Sequence, residues 1–377
     1  MTTSQKQFIE LLKAGLWGTQ VQESLFKDNV NWQSIIQIAR EQTVLGIICD
    51  SIETLPKEMW PPKDILHKLM SHNIRNIQMH TLLNSTLNKI TKALDSAGIP
   101  SVLLKGQGVA QNYRRPECRS CGDIDLYVGE ANFLDAYNQL KLLNDVSIEI
   151  GHECTHHMQM TINGVEIELH KQADYMPGVK TNQDLQDWTT ECIDNNFGTS
   201  SLPKWNNNGN EICLPSTTYN AFFILHHAVR HMTVGGIGFR QLCDWTMFLY
   251  QHHEEISIDL LQEKLEKYNM TKVWQEFGIL AVNTLGLPAS CLPLSPTSYD
   301  SNKTELILKQ IFISGNFGHA DTKRNVQKQT TYIKKKWRDF KYQSSRLFML
   351  FQIFPIYSIS YFKNWIIEGI HRLVTRK

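Results

Sequence analysis

CRSCGDIDLYV, residues 118–128, places two aspartates inside a run of otherwise apolar residues. Side chains of a β-strand alternate between its faces, so Asp123 and Asp125 point to one side, about 6.5–7 Å apart along the backbone, while Ile124 and Leu126 point into the core. Two neighbouring ionised carboxylates repel each other unless a cation lies between them. Hard oxygen ligands of this kind suit Mg²⁺ or Mn²⁺. The segment therefore predicts a buried strand whose second face binds metal.

A later segment repeats this alternation and adds a third carboxylate. VEIELH, residues 165–170, alternates apolar side chains with polar ones that share a face, which are Glu166, Glu168 and His170. It follows HHMQMTI, residues 156–162, across Asn163-Gly164, a dipeptide typical of a two-residue hairpin turn. We therefore expect two antiparallel strands, the second of which supplies a carboxylate to the aspartate pair.

A glycine turn precedes both segments. PSVLLKG, residues 100–106, reads as a short strand closed by Lys105 and Gly106, and Gly108 opens the helical stretch that follows. Backbone amides at a strand-to-helix turn can hold phosphate oxygens, and glycine lets the backbone approach the anion closely. Lys105 and Arg119 add positive charge for the same anion. The turn therefore predicts a nucleotide polyphosphate site.

Together these residues describe phosphoryl chemistry. Asp123 and Asp125 would hold metal ions, a glutamate of the later strand would deprotonate an attacking hydroxyl, and the glycine turn would hold a polyphosphate. This set is typical of two-metal phosphoryl or nucleotidyl transfer. We expect Mg²⁺ (or Mn²⁺) as cofactor and a nucleoside triphosphate (NTP) as partner.

LLKGQGVAQNY, RSCGDIDLYV and VEIELH, in this order, resemble the DNA polymerase β-like nucleotidyltransferase superfamily. Within it the chain looks like the uncharacterised bacterial nucleotidyltransferase group whose members read LKG and then DIDL. The resemblance covers residues 99–172 closely and continues more weakly at 226–245 and 314–318. It implies a small mixed sheet flanked by helices, with Asp123 and Asp125 as metal ligands. It also implies that Glu168, rather than Glu166, is the third member of the catalytic triad.

The periodicity along the chain predicts an α+β fold with three parts. Apolar residues at helical intervals predict an amino-terminal helical domain over residues 1–97. Short strands and a helix from Glu130 to about Leu143 predict the nucleotidyltransferase core sheet over residues 98–175, including a strand at 147–150. Residues 176–377 are predicted to form a mainly helical domain, with a loop near the Gly- and Asn-rich stretch 194–210.

Composition limits the partners and the compartment. The chain of 377 residues carries 38 basic and 37 acidic residues, a formal net charge of +1, so we expect no general attraction to a long nucleic acid. The amino terminus has no basic segment followed by a long apolar one, which argues against secretion. Eight scattered cysteines then indicate reduced thiols in a cytoplasmic protein. Cys118 and Cys121 form a CxxC pair, but no second pair stands nearby to complete a zinc site.

A histidine pair lies outside the central segment. HHAVRH, residues 226–231, spaces His227 and His231 four apart, on one face of a helix. This is the spacing of a zinc pair, but no glutamate follows the first histidine as a zinc hydrolase would require. We expect His170, His227, Arg230 and His231 to contact the acceptor or the nucleotide base.

The carboxyl-terminal third is locally basic. Residues 323–346 hold nine basic residues and one acid, Asp339, and sixteen residues without a charge follow them. This apolar run is shorter than the roughly 20 residues of a membrane span, and Pro355 interrupts it. We expect residues 323–362 to pack on the protein, with a peripheral membrane or anionic contact as the alternative to a solvated basic face.

These observations predict a Mg²⁺-dependent nucleotidyltransferase that moves a nucleoside monophosphate (NMP) from an NTP to a hydroxyl or phosphate acceptor and releases pyrophosphate. Two alternatives remain open. One is a catalytically idle member that binds a nucleotide or a protein, although such a module has no need of a costly carboxylate cluster. The other is a toxin-type nucleotidyltransferase of a toxin and antitoxin pair, which shares the KG and DID motifs.

Overall fold

The computed structural model describes residues 1–28, 30–144, 146–147, 157–318, 320 and 332–375, with backbone alone at 332–336, 339, 343 and 368–375. The helices are α1 (Thr3–Trp17), α2 (Trp32–Glu41), α3 (Leu45–Ile52), α4 (Lys63–Ser96), α5 (Gln107–Ala110), α6 (Gly129–Lys141), α7 (Val179–Cys192), α8 (Thr217–Val234), α9 (Phe239–His252), α10 (Ile258–Lys267), α11 (Thr271–Leu280), α12 (Ser301–Ser314), α13 (Tyr332–Ile353) and α14 (Pro355–Thr375). The strands are β1 (Val102–Leu103), β2 (Asp123–Tyr127), β3 (Val146–Ser147), β4 (His157–Ile162), β5 (Val165–His170), β6 (Lys204–Asn207) and β7 (Asn210–Cys213).

The central sheet is small and mixed. Its strand order is β1-β2-β5-β4-β3, in which β2 and β5 are parallel and the other neighbours are antiparallel. Helices precede and follow it along the chain, so the α+β nucleotidyltransferase fold is confirmed. The strand predicted at 147–150 begins at Val146, and its residues 148–150 lie outside the described residues, as does His156.

One face of the sheet carries the core. The alternation of β2, β4 and β5 turns their apolar side chains to this face, where helices α4 and α6 cover them. From α4 come four residues at helical spacing, Leu83, Leu87, Ile90 and Leu94, and all four are fully buried. The buried strand residues of this cluster are Ile124, Leu126, Met160, Ile162, Val165, Ile167 and Leu169. Burial of this face leaves the polar side chains of the same strands on the other one.

Two hairpins use the same turn. Asn163 and Gly164 have φ angles of 57° and 76° between β4 and β5, and Asn208 and Gly209 have φ angles of 51° and 87° between β6 and β7. Both central positions of a type I′ turn need positive φ, which asparagine and glycine tolerate best. The first hairpin is the predicted one. In the second case the stretch 194–210, predicted as a loop, contains strand β6 and this Asn-Gly turn.

By internal contacts the chain divides into two compact units, residues 70–223 and residues 1–69 with 224–377. The first unit contains the whole central sheet and the β6–β7 hairpin. The second unit is helical, and aromatic rings form part of its core, such as Phe8 against Phe239 and Trp245 against Trp274, with centroids 5.4 and 4.9 Å apart. That residues 1–97, 98–175 and 176–377 are separate domains stays a prediction.

Candidate active site

Polar side chains form rows across the face of the central sheet that is opposite the apolar cluster. Strand register pairs Asp125 with Glu168, and Glu168 with Gln159 on β4. The next row toward the carboxyl ends of β2 and β5 joins Tyr127, His170 and His157, and the preceding row starts with Asp123 and Glu166. The alternation of three neighbouring strands therefore brings residues from distant parts of the sequence to one surface.

Asp125 lies at the centre of this surface and is buried, with 3% of its side chain exposed. Lys105 Nζ lies 3.0 Å from Asp125 Oδ1, and His170 Nε2 lies 3.1 Å from the same oxygen. The sequence suggested that a metal ion would balance the aspartate charge. In the structure an ammonium group and an imidazole of the chain itself contribute to that balance.

The charged groups around Asp125 shift one another's pKa values. Burial alone would raise the pKa of the Asp125 carboxyl, but Lys105 and His170 outweigh burial and hold this pKa well below its usual value. For His170, burial would lower the pKa, and hydrogen bonds to Asp125 and Glu168 raise it instead. The ion pair and hydrogen bonds of Asp125 therefore favour its ionised form, and the two carboxylates favour the protonated form of His170.

Glu168 is half-buried beside Asp125. Its Oε2 lies 3.3 Å from His170 Nε2, and its Oε1 accepts a hydrogen bond of 3.2 Å from Gln159 Nε2. Burial would raise the pKa of Glu168, but this pKa is lowered overall, and the largest cause of the lowering is the hydrogen bond from His170. Glu166, two residues earlier on the same face, is exposed. The geometry thus separates the two glutamates, because Glu168 is level with Asp125 and Glu166 is level with Asp123.

The glycine turn lies against β2. Gly106 has φ of 55° and ψ of −116°, and a Cβ on this residue would lie 3.3 Å from the backbone oxygen of Asp123, so the turn requires glycine. Glycine is required at residue 108 for a different reason. Its N–H donates to Lys105 O, and a Cβ here would lie 2.8 Å from Leu214 Cδ2, so packing explains this glycine.

Arg119 is buried, with 4% exposed, in the loop before β2. Its Nη1 lies 2.7 Å from Cys121 Sγ, and its backbone oxygen accepts hydrogen bonds from Asn76 Nδ2 and His80 Nε2 on α4. Asn76 Nδ2 also donates to the backbone oxygen of Glu117. Arg119 is therefore part of the link between α4 and the strand that carries the aspartates.

His80 connects this loop to the glycine turn. A backbone oxygen can only accept, so His80 Nε2 donates to Arg119 O over 2.6 Å, and Nδ1 accepts from Gln107 Nε2 over 3.2 Å. Burial lowers the pKa of His80, which matches this neutral tautomer. Gln107 Nε2 also lies 2.6 Å from Asn84 Oδ1.

The residues that support the site from α4 escaped the sequence analysis. They are polar, occur at every fourth position of the helix and therefore share a stripe: Asn76, His80, Asn84 and Asn88. The last of them donates to the backbone oxygen of Asn207 over 2.9 Å. A search for polar residues at helical spacing would have found this stripe.

The donor set of the polar face suits a hard metal ion. Asp123 is half-buried on the same face as Asp125, and Glu168 adds a third carboxylate level with Asp125. Carboxylate oxygens are the ligands that Mg²⁺ prefers, and the lowered pKa values of Asp125 and Glu168 keep both groups charged. The residues present therefore fit Mg²⁺.

The predicted acceptor contacts on α8 belong to the other compact unit. His231 Nε2 lies 2.9 Å from His227 Nε2, and Arg230 Nη2 lies 3.2 Å from His227 Nδ1. The ring of His231 packs against Phe317, with centroids 4.7 Å apart, and the Arg240 guanidinium lies 5.6 Å from the centroid of the same phenyl ring. His227, Arg230 and His231 are therefore one connected cluster, and their contact with an acceptor stays a prediction.

Large apolar side chains are exposed on α13 and α14. The exposed ones are Trp337, Phe340, Phe348, Phe351, Ile356, Ile359, Phe362, Ile366 and Ile367. The ring of Phe340 lies between those of Trp337 and Trp365, with centroid distances of 5.6 and 6.0 Å. Among the described residues, no helix combines the length and the apolar character that crossing a membrane requires. Residues 323–331, where the predicted basic segment begins, lie outside the described residues.

Comparison with known proteins gives one result. The model of a family described as "Uncharacterised nucleotidyltransferase" matches residues 28–286, which include the glycine turn, both aspartates and β5. No curated protein and no solved structure matches the chain. Because the match covers more than half of the chain, the protein belongs to this uncharacterised nucleotidyltransferase family, and its class of reaction is nucleotidyl transfer.

Proposed function

We propose that the chain is a Mg²⁺-dependent nucleotidyltransferase of the DNA polymerase β-like type. It moves an NMP from an NTP to a hydroxyl or phosphate acceptor and releases pyrophosphate. The observation that carries this proposal is the register of β2 and β5, which sets Asp125 beside Glu168 with Asp123 on the same face. Asp123, Asp125 and Glu168 would hold the metal, which supplies positive charge to the phosphates and to the leaving pyrophosphate.

Each side chain then has a role in the transfer. The acceptor hydroxyl gives its proton to the Glu168 carboxylate as its oxygen bonds to the α-phosphorus, and the bond from that phosphorus to the β-phosphate oxygen breaks. His170 orients Glu168 through the contact between His170 Nε2 and Glu168 Oε2. Lys105 has only 21% of its side chain exposed, and its ammonium group is close enough to Asp125 to meet a phosphate bound there.

Among the predicted nucleotide-binding residues, Lys105 and Gly106 are the best placed. The turn at Gly106 runs alongside Asp123, so a phosphate near the aspartates would be near its backbone. Arg119 and Gly108 act on the nucleotide through the turn and the loop that they hold in place. We place the enzyme in the cytoplasm, a proposal that rests on the scattered spacing of its eight cysteines along the chain.

A screen for pyrophosphate release tests the proposal. The protein would be incubated with Mg²⁺, each of the four NTPs and candidate acceptors, among them sugar phosphates, tRNA and proteins. We expect release with one NTP and one class of acceptor, and no release by Asp125→Asn. Wild-type protein that binds an NTP but releases no pyrophosphate with any acceptor would contradict the proposal.

A nucleotide-binding module without catalysis is the second candidate, and one observation favours it. Lys105 and His170 offset the cost of ionising Asp125, so a buried carboxylate here is not in itself a sign of a bound metal. Such a module would bind an NTP and release no pyrophosphate with any acceptor. Pyrophosphate release that is lost in Asp125→Asn would exclude this candidate.

We also propose that α13 and α14 lie against an anionic lipid surface. Residues 332–367 contain seven basic residues, of which Arg346 is buried, and one acid, together with the exposed apolar side chains described above. Lys341 Nζ lies 5.7 Å from the centroid of the Trp337 ring, so charged and aromatic groups share this surface. Aromatic residues beside basic ones are typical of helices that lie in the interface of anionic membranes.

A further inference from the structure

Two imidazoles and a carboxylate converge beside Asp125. His157, Glu168 and His170 each offer a nitrogen or oxygen atom, and these three atoms all lie within 4.8 Å of one another. His157 comes from β4 and the other two come from β5, and the register makes His157 and His170 Cα partners. The strands themselves therefore hold the three groups together.

The distances between these groups suit a tetrahedral metal ion. Bonds of about 2.0–2.1 Å in a tetrahedral site place ligand atoms roughly 3.3 Å apart. His170 Nε2 lies 3.3 Å from Glu168 Oε2, and His157 Nε2 lies 3.9 Å from Glu168 Oε1. Small rotations of the side chains would bring all three groups onto one ion, and the fourth position would be left to water.

The chemistry of this set differs from that of the carboxylate group. Imidazole nitrogens are good ligands of Zn²⁺ and other first-row transition metals, whereas Mg²⁺ prefers oxygen. Gln159 Nε2 donates to Glu168 Oε1, so an outer partner already orients the carboxylate. Metal binding displaces the proton of the His170 Nε2 atom, and the carboxylates of Asp125 and Glu168 then outnumber the single ammonium of Lys105, which favours a cation here.

We propose that His157, Glu168 and His170 form a binding site for a transition-metal dication, with Zn²⁺ as the best-suited ion. The site shares Glu168 with the carboxylates that fit Mg²⁺ and adds two histidines, of which His157 has no part in the proposed transfer. Binding of Zn²⁺ does not depend on the proposed function. One consequence does rest on it: Zn²⁺ bound to Glu168 would occupy the proposed base and stop nucleotidyl transfer.

Titration of the metal-free protein with Co²⁺, followed by absorption spectroscopy and then by displacement with Zn²⁺, tests the site. We expect one Co²⁺ to bind with the intense visible bands of a low-coordinate site, and Zn²⁺ to abolish them. His157→Gln removes one of three ligands and should weaken binding by more than the roughly 10–100-fold that loss of an outer partner costs. His231→Gln is the matched control, because it removes a histidine of the α8 pair, and it should bind as wild type does.

Three results would overturn the proposal. They are wild-type affinity in His157→Gln, loss of binding in His231→Gln, and a sulfur-to-cobalt charge-transfer band that disappears in Cys118→Ser. Circular dichroism of His157→Gln checks its fold, and a misfolded variant is replaced by His157→Asn. Because the readout is metal binding, a protein inactive toward every NTP would contradict the proposed transfer while the cobalt bands still support the site.

Discussion

Asp125 on β2 and Glu168 on β5 are direct Cα partners on parallel strands, and His170 Nε2 contacts both carboxylates. This relationship joins two carboxylates that are 43 positions apart in the sequence. It also gives the two acids different environments, because Asp125 is buried beside Lys105 and Glu168 is half-buried beside Gln159.

Asp125→Asn should remove Mg²⁺-dependent NTP binding. The amide keeps the shape of the side chain but loses the charge that attracts the metal, and the core-facing Ile124 and Leu126 are unchanged. Isothermal titration calorimetry with Mg²⁺ and the preferred NTP measures the effect, and Glu166→Gln on the exposed part of the same face is the control. Equal affinities of Asp125→Asn and wild type would show that the metal site lies elsewhere.

Glu168→Gln should abolish transfer and keep much of the NTP binding, because the two aspartates remain to hold the metal of the nucleotide. Glu166→Gln should turn over within a few-fold of wild type, since Glu166 is exposed and level with Asp123 rather than with Asp125. Single-turnover pyrophosphate release at saturating NTP compares the two. An inactive Glu166→Gln beside an active Glu168→Gln would reverse their assignment.

Lys105→Met should weaken NTP binding roughly tenfold or more. A charge-assisted hydrogen bond contributes about 1.5–3 kcal/mol, and methionine keeps most of the volume of the side chain without its charge. Lys171→Met is a control, because that lysine pairs with Glu130, 3.3 Å away. Titration of each variant with the NTP gives the affinities, and an unchanged affinity in Lys105→Met would move the phosphate site away from the glycine turn.

Arg119→Ala should lower both the stability and the NTP affinity. The guanidinium is buried beside Cys121, so its removal leaves a cavity under the loop that leads into β2. Thermal unfolding followed by circular dichroism measures the first effect, and calorimetry well below the melting temperature measures the second. Wild-type stability together with wild-type affinity would remove Arg119 from the site altogether.

His80 should make the protein less stable in mild acid. Its pKa is lowered in the folded state by burial, so below about pH 6.5 the unfolded chain binds the proton more readily, and the free energy of unfolding falls as the pH falls. His80→Gln does not titrate, so the difference in unfolding free energy between wild type and variant should shrink from pH 7.5 to pH 5.5. Urea unfolding at several pH values measures this, and parallel pH profiles would contradict it.

The α13–α14 surface should bind vesicles that contain an anionic lipid. Sedimentation with phosphatidylcholine vesicles, with and without phosphatidylglycerol, should show binding to the anionic ones alone, and high salt should weaken it. Trp337→Ser and Phe348→Ser should reduce it several-fold, whereas Leu142→Ser, which removes an exposed leucine of the other unit, should not. Absence of binding to anionic vesicles, or recovery of the protein only with membranes after a high-salt wash, would contradict this view.

The faces of the strands could be predicted from the sequence because alternation is a local property. The two-residue period of a strand is enough to place Ile124 and Leu126 on one face and Asp123 and Asp125 on the other. The choice of Glu168 over Glu166 could not be derived this way, since both share a face and only the register of two distant strands separates them. The choice of Glu168 rests on the resemblance of VEIELH to the DNA polymerase β-like nucleotidyltransferase superfamily.

The surroundings of the aspartates were beyond sequence analysis for the same reason. The ion pair of Lys105 and Asp125 depends on how the end of β1 lies beside β2, and no spacing along the chain encodes this. The Asn-Gly dipeptide at residues 208 and 209 predicts a hairpin turn in the same way as the identical dipeptide at 163 and 164. The asparagine-rich composition of the surrounding stretch predicts a loop instead, and the turn chemistry proved the better guide.

The ion pair of Lys105 and Asp125 also bears on how the buried carboxylate is compensated when no metal is bound. Because this countercharge is part of the polypeptide, its effective concentration near Asp125 does not depend on the composition of the solution. The buried carboxylate therefore has a countercharge within the folded chain, in contrast to domains whose folding free energy comes from a bound metal. For the proposed enzyme we therefore expect removal of Mg²⁺ to stop transfer while the ion pair of Lys105 and Asp125 still compensates the buried carboxylate.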